Sequence, residues 1–478
     1  MKKRILTITL SLIILTIFQI KAQEQADTLR STVEGILTTL DLKNRLKISG
    51  YIQAQYQVAD SGGTKSFAGG DFENGVDKRF YLRRGRIKFQ YDAAAGVKGW
   101  STSQYVLQFD VSQKGLAIKD AFAKFTDPWS GWFSVTAGMQ NRPFGYEIVY
   151  SSGLRESPER GRMSQIIFPN ERDLGAMLTI QGPKTSRWNW IKLDVGMFNG
   201  TGAPSAGANT SDFDKFKDII GHLSISRSTK SEKIKWGLGA SFYEGGFRQD
   251  VSDRYKFGTD SLSVKGFTLD QKSSLVSVYP NNQDKTKRSY IGFDGQVSID
   301  WFLGITTFRG EYIQGEQPAT SGSSSSPSSL PTSSETIIVK DTAGAVKSVT
   351  TTATVISPIY IRKFNGAYFY FLQNIGQTPW QAIVKYDWYD ANTDLKGDEI
   401  GNAVKTTGFK NSNATDIKYT TLGLGLAYRW DANVKITAYY DIVKNETTAN
   451  IPITAKQPVN YSKDLLDNVF TLRVQVKF

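Results

Sequence analysis

The 478-residue chain contains no cysteine and a single histidine, His222. The first absence excludes disulfides, thiolate metal sites and cysteine nucleophiles. The second excludes a centre built from several histidines. With no matching motif around it, His222 reads as a wall residue, not a catalyst. Phosphate loops, dinucleotide fingerprints and metal-ligand clusters are missing too, so no cofactor and no enzymatic activity is expected. Past the N-terminus, no stretch approaches the roughly 18 continuous apolar residues of a transmembrane helix. Two architectures remain: a soluble fold, or a chain that meets the membrane as a β-barrel.

Several features are abundant. Glycine (43) is frequent, as are Trp (10), Tyr (22) and Phe (27), and the formal charge is +13. Part of that charge sits in Met1-Lys2-Lys3-Arg4, followed by the apolar and hydroxyl run Ile5–Phe18 and by Ile20-Lys21-Ala22. This has the form of a secretory signal peptide over residues 1–22. Cleavage after Ala22 removes Lys2, Lys3, Arg4 and Lys21 and takes the charge from +13 to +9. Residues 23–44 form an N-terminal periplasmic segment. Within it, Thr28–Leu42 has helical apolar spacing at Leu29, Val33, Ile36, Leu37 and Leu40.

From residue 45 to 478 the period is two. Leu46, Ile48, Gly50, Ile52, Ala54, Tyr56 and Val58 alternate with Lys47, Ser49, Tyr51, Gln53, Gln55 and Gln57. That alternation is longer than an ordinary globular strand and suits a tilted membrane-crossing one. Fifteen further segments follow it, ending with Phe470, Leu472, Val474, Val476 and Phe478 opposite Thr471, Arg473, Gln475 and Lys477. The count predicts an all-β, 16-stranded antiparallel transmembrane β-barrel, an even number as bacterial outer-membrane barrels require.

Connection lengths give an independent signal. After even-numbered strands they are short, as at Asp127–Gly131, Pro183–Arg187, Asp300-Trp301, Gly376–Pro379 and Asp431–Asn433. After odd-numbered strands they are long and polar, Gln113–Gly115 excepted. Short periplasmic turns with long outer loops are the barrel arrangement. Trp100, Trp129, Trp132, Trp380 and Trp430 at strand ends suit an interfacial girdle. The Ser/Pro-rich stretch Ser321–Ser334 reads as a mobile outer loop tip.

A long, irregular, charged stretch breaks the run of strands at Gln140–Gly175, which holds Arg142, Arg155, Arg160, Arg162 and Arg172 beside Glu147, Glu156, Glu159, Glu171 and Asp173. It has no helical apolar spacing. A loop of this length in a compact fold is functional or disordered. The expectation is that this third outer loop folds into the barrel mouth and narrows it.

Six stretches carry a resemblance: Phe80–Ile87 (FYLRRGRI), Ile118–Phe125 (IKDAFAKF), Gly138–Glu147 (GMQNRPFGYE), Phe168–Gly175 (FPNERDLG), Val195–Gly200 (VGMFNG) and Leu422–Asn433. In order and spread over most of the chain, they resemble the phosphate-selective porin O/P family. The terminal Phe478 looks like the sorting signal of bacterial outer-membrane proteins. The resemblance implies a sixteen-stranded barrel in the bacterial outer membrane, commonly a homotrimer, whose third outer loop folds inward. It also implies a phosphate site among constriction arginines and lysines, carried here by Arg83 and Arg84 within LRR and by Arg142 beside PFG.

An anion-selective pore replaces part of an anion's hydration with fixed basic donors. Arginine suits phosphate because its planar fork meets two oxygens. Alternation puts Arg84, Arg86 and Lys88 on the lumen face, with Lys124 on another strand. It puts Arg83 on the opposite face, where it can snorkel to the membrane interface. Two roles stand for Arg84 and Arg86: conduction, or pairing with acids such as Asp110 and Asp120. Two also stand for Arg155, Arg160, Arg162 and Arg172: internal pairing that fixes the loop's shape, or a loop whose acids face the basic wall. Asp387, Tyr389, Tyr439 and Asp441 line the lumen. The expected function is passive diffusion of small anionic solutes, phosphate or other oxyanions among them. The alternative is a general or carbohydrate-permeating porin. Charge spread through alternating strands of a secreted chain argues against nucleic acid as a partner; outer-membrane lipid is the expected one.

Overall fold

Each consecutive pair of wall strands is antiparallel and hydrogen-bonded in a computed structural model that describes residues 30–35, 45–93, 101–113, 115–203, 212–273, 284–340, 346–454 and 457–478. The signal segment, Trp100 and most of Thr28–Leu42 lie outside these residues; 30–35 are helical and exposed. The wall strands are β1 (Leu46–Ala59), β2 (Lys78–Asp92), β3 (Ser103–Ser112), β4 (Gly115–Thr126), β5 (Phe133–Asn141), β6 (Arg172–Gln181), β7 (Ile191–Phe198) and β8 (Asp218–Ser228). They continue as β9 (Ile234–Arg248), β10 (Lys285–Trp301), β11 (Gly304–Ala319), β12 (Ile359–Asn374), β13 (Trp380–Asp390), β14 (Tyr419–Arg429), β15 (Val434–Asn445) and β16 (Val469–Lys477). The last strand pairs with the first, from Tyr51 opposite Lys477 to Ala59 opposite Val469, and closes a sixteen-stranded barrel. Closure removes the unpaired strand edges that a bilayer cannot satisfy.

The two faces differ as the alternation requires. Along β1 the side chains of Gln53, Gln55 and Gln57 are buried inside, while Ile52 is half exposed on the outer surface. Leu107, Val135, Leu178, Leu223, Phe293, Phe308, Leu424 and Leu472 continue this outer apolar belt around the wall. Trp129, Trp301, Trp380 and Trp430 are exposed at the short-turn end, where amphipathic rings meet the headgroup layer.

Two bulges shift the parity. Between Gln53 and Ala54 the β1–β2 register slips, so that Gln53 faces Arg84 and Ala54 faces Leu82, with Arg83 as the extra residue. Arg83 therefore does not snorkel to the outer surface; it reaches inward to Glu159 at 2.9 Å. In β3–β4 the slip falls between Gln108 and Phe109, and Lys119 is the extra residue. A bulge places two residues opposite one and re-aims side chains.

Three further strands extend the sheet in the outer loops: Arg254–Thr259, Lys265–Gln271 and Phe409–Lys410. A separate hairpin pairs Thr332–Lys340 with Val346–Ile356. The start of the serine-rich stretch is tied down. Arg362, itself ion-paired to Asp416 at 2.8 Å, donates to the carbonyls of Thr320 and Ser323, and Asn413 donates to that of Ser321.

Candidate functional site: the constriction loop

Contrary to the expectation of no helical apolar spacing, the segment between β5 and β6 contains a six-residue helix, Arg162–Ile167, whose Met163, Ile166 and Ile167 stand at i, i+3 and i+4 and are buried. Phe144, Ile148, Met163, Ile167 and Phe168 pack with wall residues Tyr243, Tyr290, Ile313, Phe364 and Tyr368 in one buried cluster. Each such buried side chain stabilises the docked loop by about 1.5–3 kcal/mol. Gly145 closes the same contact. It has a φ of +57°, and a Cβ there would fall on the Glu311 carboxylate. That carboxylate accepts hydrogen bonds from the backbone N–H of Tyr146 (3.1 Å) and Glu147 (3.0 Å).

The opposite side of the loop is held by charge. Glu159 accepts from Arg83, from Arg84 at 2.8 Å and from Arg473 at 2.7 Å. Tyr51 and Ser152 share a hydrogen bond of 2.5 Å, and Gln475 donates to the Gly153 carbonyl at 2.9 Å. Glu156 meets Arg309 at 2.9 Å, and Ser157 meets Tyr370 at 2.6 Å. Since β1, β2 and β16 lie on one side and β9 to β12 on the other, the loop crosses the lumen and is fixed at both walls.

A second ion-pair network runs along β2 to β6. Arg86 pairs with Asp110 at 3.2 Å, and Arg172 with Asp120 at 3.0 Å. Glu171 joins Arg172 (2.6 Å) and Arg160 (3.4 Å), with Lys119 nearby. Arg142 pairs with Asp173 at 3.2 Å. Burial opposes ionisation of both Glu159 and Glu171, but the surrounding cations outweigh it and hold both carboxyls well below the usual carboxylate range. The open choice between internal pairing and facing the wall resolves into both. Glu171 pairs within the loop with Arg160 and also meets Arg86 of the wall at 3.8 Å, while Glu156 and Glu159 face wall arginines.

The ten sequence-derived candidates thus divide. Arg83, Arg84, Arg86, Arg142, Arg160 and Arg172 are ion-paired. Arg155, Arg162, Lys88 and Lys124 form no ion pair among the described residues. Lys88 and Lys124 are half-buried near the inner ends of β2 and β4. Arg155 and Arg162 are each more than nine-tenths buried in the loop, and the Nε of each lacks a hydrogen-bond partner. Burial, with Arg160 and Arg84 beside it, lowers the Arg155 pKa from its ordinary value, yet a guanidinium stays charged at neutral pH. Arg473, Arg309 and Lys119 complete the cationic lining. Alternation already placed Arg473 inside; Lys119 was hidden by its bulge. His222 faces the lumen and meets Asp294 at 2.9 Å. No group of three His, Cys, Asp or Glu fit to hold a metal occurs among the described residues.

The barrel, its apolar belt and its inner loop place the protein in the bacterial outer membrane. No protein-family model matches the chain, and no curated protein matches it. Solved structures do. The trimer form of OmpT from Vibrio cholerae is 8% identical, covering 91% of this chain and 99% of that one, with a TM-score of 0.45. The outer membrane channel DcaP of Acinetobacter baumannii is 10% identical over 91% and 97%, TM-score 0.47. OmpF of Salmonella typhi, in complex with daunomycin, is 11% identical over 91% and 97%, TM-score 0.46. The likeness is to the barrel, and no residue's role is carried across from it.

Proposed function

We propose that the protein is an outer-membrane porin for passive diffusion of small solutes, with a preference for anions. Phosphate and related oxyanions are the class implied by the resemblance to the phosphate-selective porin O/P family. The observation that carries the anion preference is the pair Arg155 and Arg162, two buried guanidinium groups of the constriction loop outside any ion pair among the described residues. Fixed, incompletely solvated donors of this kind replace part of an anion's hydration shell, while the paired arginines around them shape the passage. Lys88 and Lys124 extend the cationic surface toward the inner opening.

Three copies associating through their apolar belts, and removal of residues 1–22 on export, complete the reading. Crosslinking of the purified protein tests the first, and N-terminal sequencing the second. The decisive experiment is the zero-current potential in a planar bilayer under a KCl gradient, repeated with added phosphate. Chloride-side selectivity with phosphate reducing the current is the expected outcome. A cation-selective potential would sink the anion preference. The alternative, a general or carbohydrate-permeating porin, draws on the hydroxyl- and tyrosine-rich space above the loop, and block of ion current by neutral sugars would favour it.

A further inference from the structure

Above the constriction loop, on its outer side, lies an open vestibule of about 1140 Å³. Its floor holds Arg162. The guanidinium carbon stands 3.9 Å from the ring centre of Tyr419 and 4.5 Å from that of Phe67. Stacking on aromatic faces holds a guanidinium in place without using its N–H donors. Arg162 makes no side-chain hydrogen bond or ion pair among the described residues, although the residue is 8% exposed. Leaving a charged donor buried and unmet is costly, so the arrangement favours an incoming acceptor. Acids do lie beside it. Asp387, Asp441 and Asp467 line, together with Arg162 itself, a cavity of about 30 Å³, room for one water, and none of the three forms an ion pair with the guanidinium among the described residues. The larger open space beside Arg162 is the vestibule.

The size and lining of that space narrow the ligand class. Small-molecule sites run to roughly 300–1000 Å³, so a bare oxyanion would leave this one mostly water-filled. The walls supply hydroxyl and amide groups from Ser321–Ser325, Thr415 and Gln457, with Tyr461 and Ile451 as apolar surface. The serine segment is positioned, because Thr415 Oγ1 donates to the Ser321 carbonyl at 3.0 Å and Arg362 holds the neighbouring carbonyls. A stacked cation on the floor, beneath walls of short hydroxyl side chains, matches a ligand with a carboxylate at one point and hydroxyl groups over the rest. We infer that the vestibule is a binding site for acidic saccharides, oligomers of uronic acids, whose carboxylate pairs with Arg162. This deepens the porin reading and rests on it.

Isothermal titration of the full mature protein in detergent micelles tests the inference with three probes: trigalacturonate, maltotriose and inorganic phosphate. Trigalacturonate is expected to bind at least tenfold more tightly than either of the others. Arg162→Met should remove at least tenfold of that affinity. Gln457→Ala, on an outer loop away from the barrel wall, should weaken trigalacturonate and leave phosphate unchanged, and it serves if the arginine variant does not fold. Equal affinity for phosphate would reduce the site to a bare oxyanion site, and equal affinity for maltotriose would remove Arg162 from recognition; either overturns the inference, as does no binding at all. Bilayer conductance of the same preparation separates the two readings. Conductance without binding refutes the saccharide site alone, whereas binding without conductance supports the site and refutes the porin.

Discussion

Glu159 and Arg84 lie 2.8 Å apart, and that contact joins the constriction loop to the barrel wall. The same carboxylate meets Arg83 at 2.9 Å and Arg473 at 2.7 Å, so one loop acid offsets three cations from β2 and β16. Removing an acid from a buried cluster leaves uncompensated charges in a poorly solvated place. Glu159→Gln is therefore expected to destabilise the barrel by about 3–5 kcal/mol. It should also raise anion preference, because the freed guanidinium groups then face the passage. Urea unfolding in lipid vesicles and a reversal potential read the two effects, and a stable variant with unchanged selectivity would show that the contact anchors nothing.

Gly145 is expected to tolerate no side chain. Its positive φ disfavours any L-residue, and the added Cβ would strike Glu311, whose carboxylate the next two backbone N–H groups hold. Gly145→Ala should cost about 1–3 kcal/mol, in the range for a forced backbone. It should also displace the loop from the β11 wall. Single-channel recordings would register this as altered conductance with added current noise; a trace matching the wild type would mean that the loop adapts without moving.

Most of the wall was legible in the sequence because lipid on one side and a wet lumen on the other impose a period of two on every strand. Outward Ile52 and inward Gln53 are told apart by chemistry alone. Arg83 and Lys119 were not legible, since a bulge inserts one residue and inverts parity locally without changing composition. The charged part of the loop was visible, but its pairing was not. Nothing in sequence spacing places Glu159 against Arg473, more than three hundred residues away. The loop's apolar anchor was hard to see for a different reason: Met163, Ile166 and Ile167 have helical spacing, but over a helix of only six residues, and the wall residues they pack with, such as Phe364 and Tyr368, are far away in sequence.

Lys88 and Lys124 provide a contrast with the paired arginines. Both are half-buried, inward-facing and outside any ion pair among the described residues. Lys124→Gln should change stability by no more than about 0.5 kcal/mol, as for other substitutions away from a buried network, and the double variant with Lys88→Gln should lower the anion-to-cation permeability ratio. Arg86→Gln, which strands Asp110, should instead destabilise the barrel. Equal loss of stability in all of these variants would place the lysines inside the structural network and out of the conduction path.

Asp467, just ahead of β16, gives the site a pH dependence with a definite sign. Burial, reinforced by Asp464 and opposed by Arg162, raises its pKa to about 6. A carboxyl raised above its unfolded value favours the folded state while protonated, so this contribution is present at low pH and is lost as pH rises through about 6. The same ionisation sets a negative charge near Arg162. Below that pH Asp467 is neutral and offsets none of the Arg162 charge that a permeating anion meets; above it the carboxylate adds to the offset that Asp387 and Asp441 already provide. The anion-to-cation permeability ratio should accordingly be higher at pH 5 than at pH 7, and Asp467→Asn should hold the ratio near its pH 5 value at both. Reversal potentials of the two proteins at the two pH values measure this, and subtracting the variant from the wild type isolates the Asp467 carboxyl from other titrating groups. A difference that does not change between pH 5 and pH 7 would mean that Asp467 has no influence on permeation.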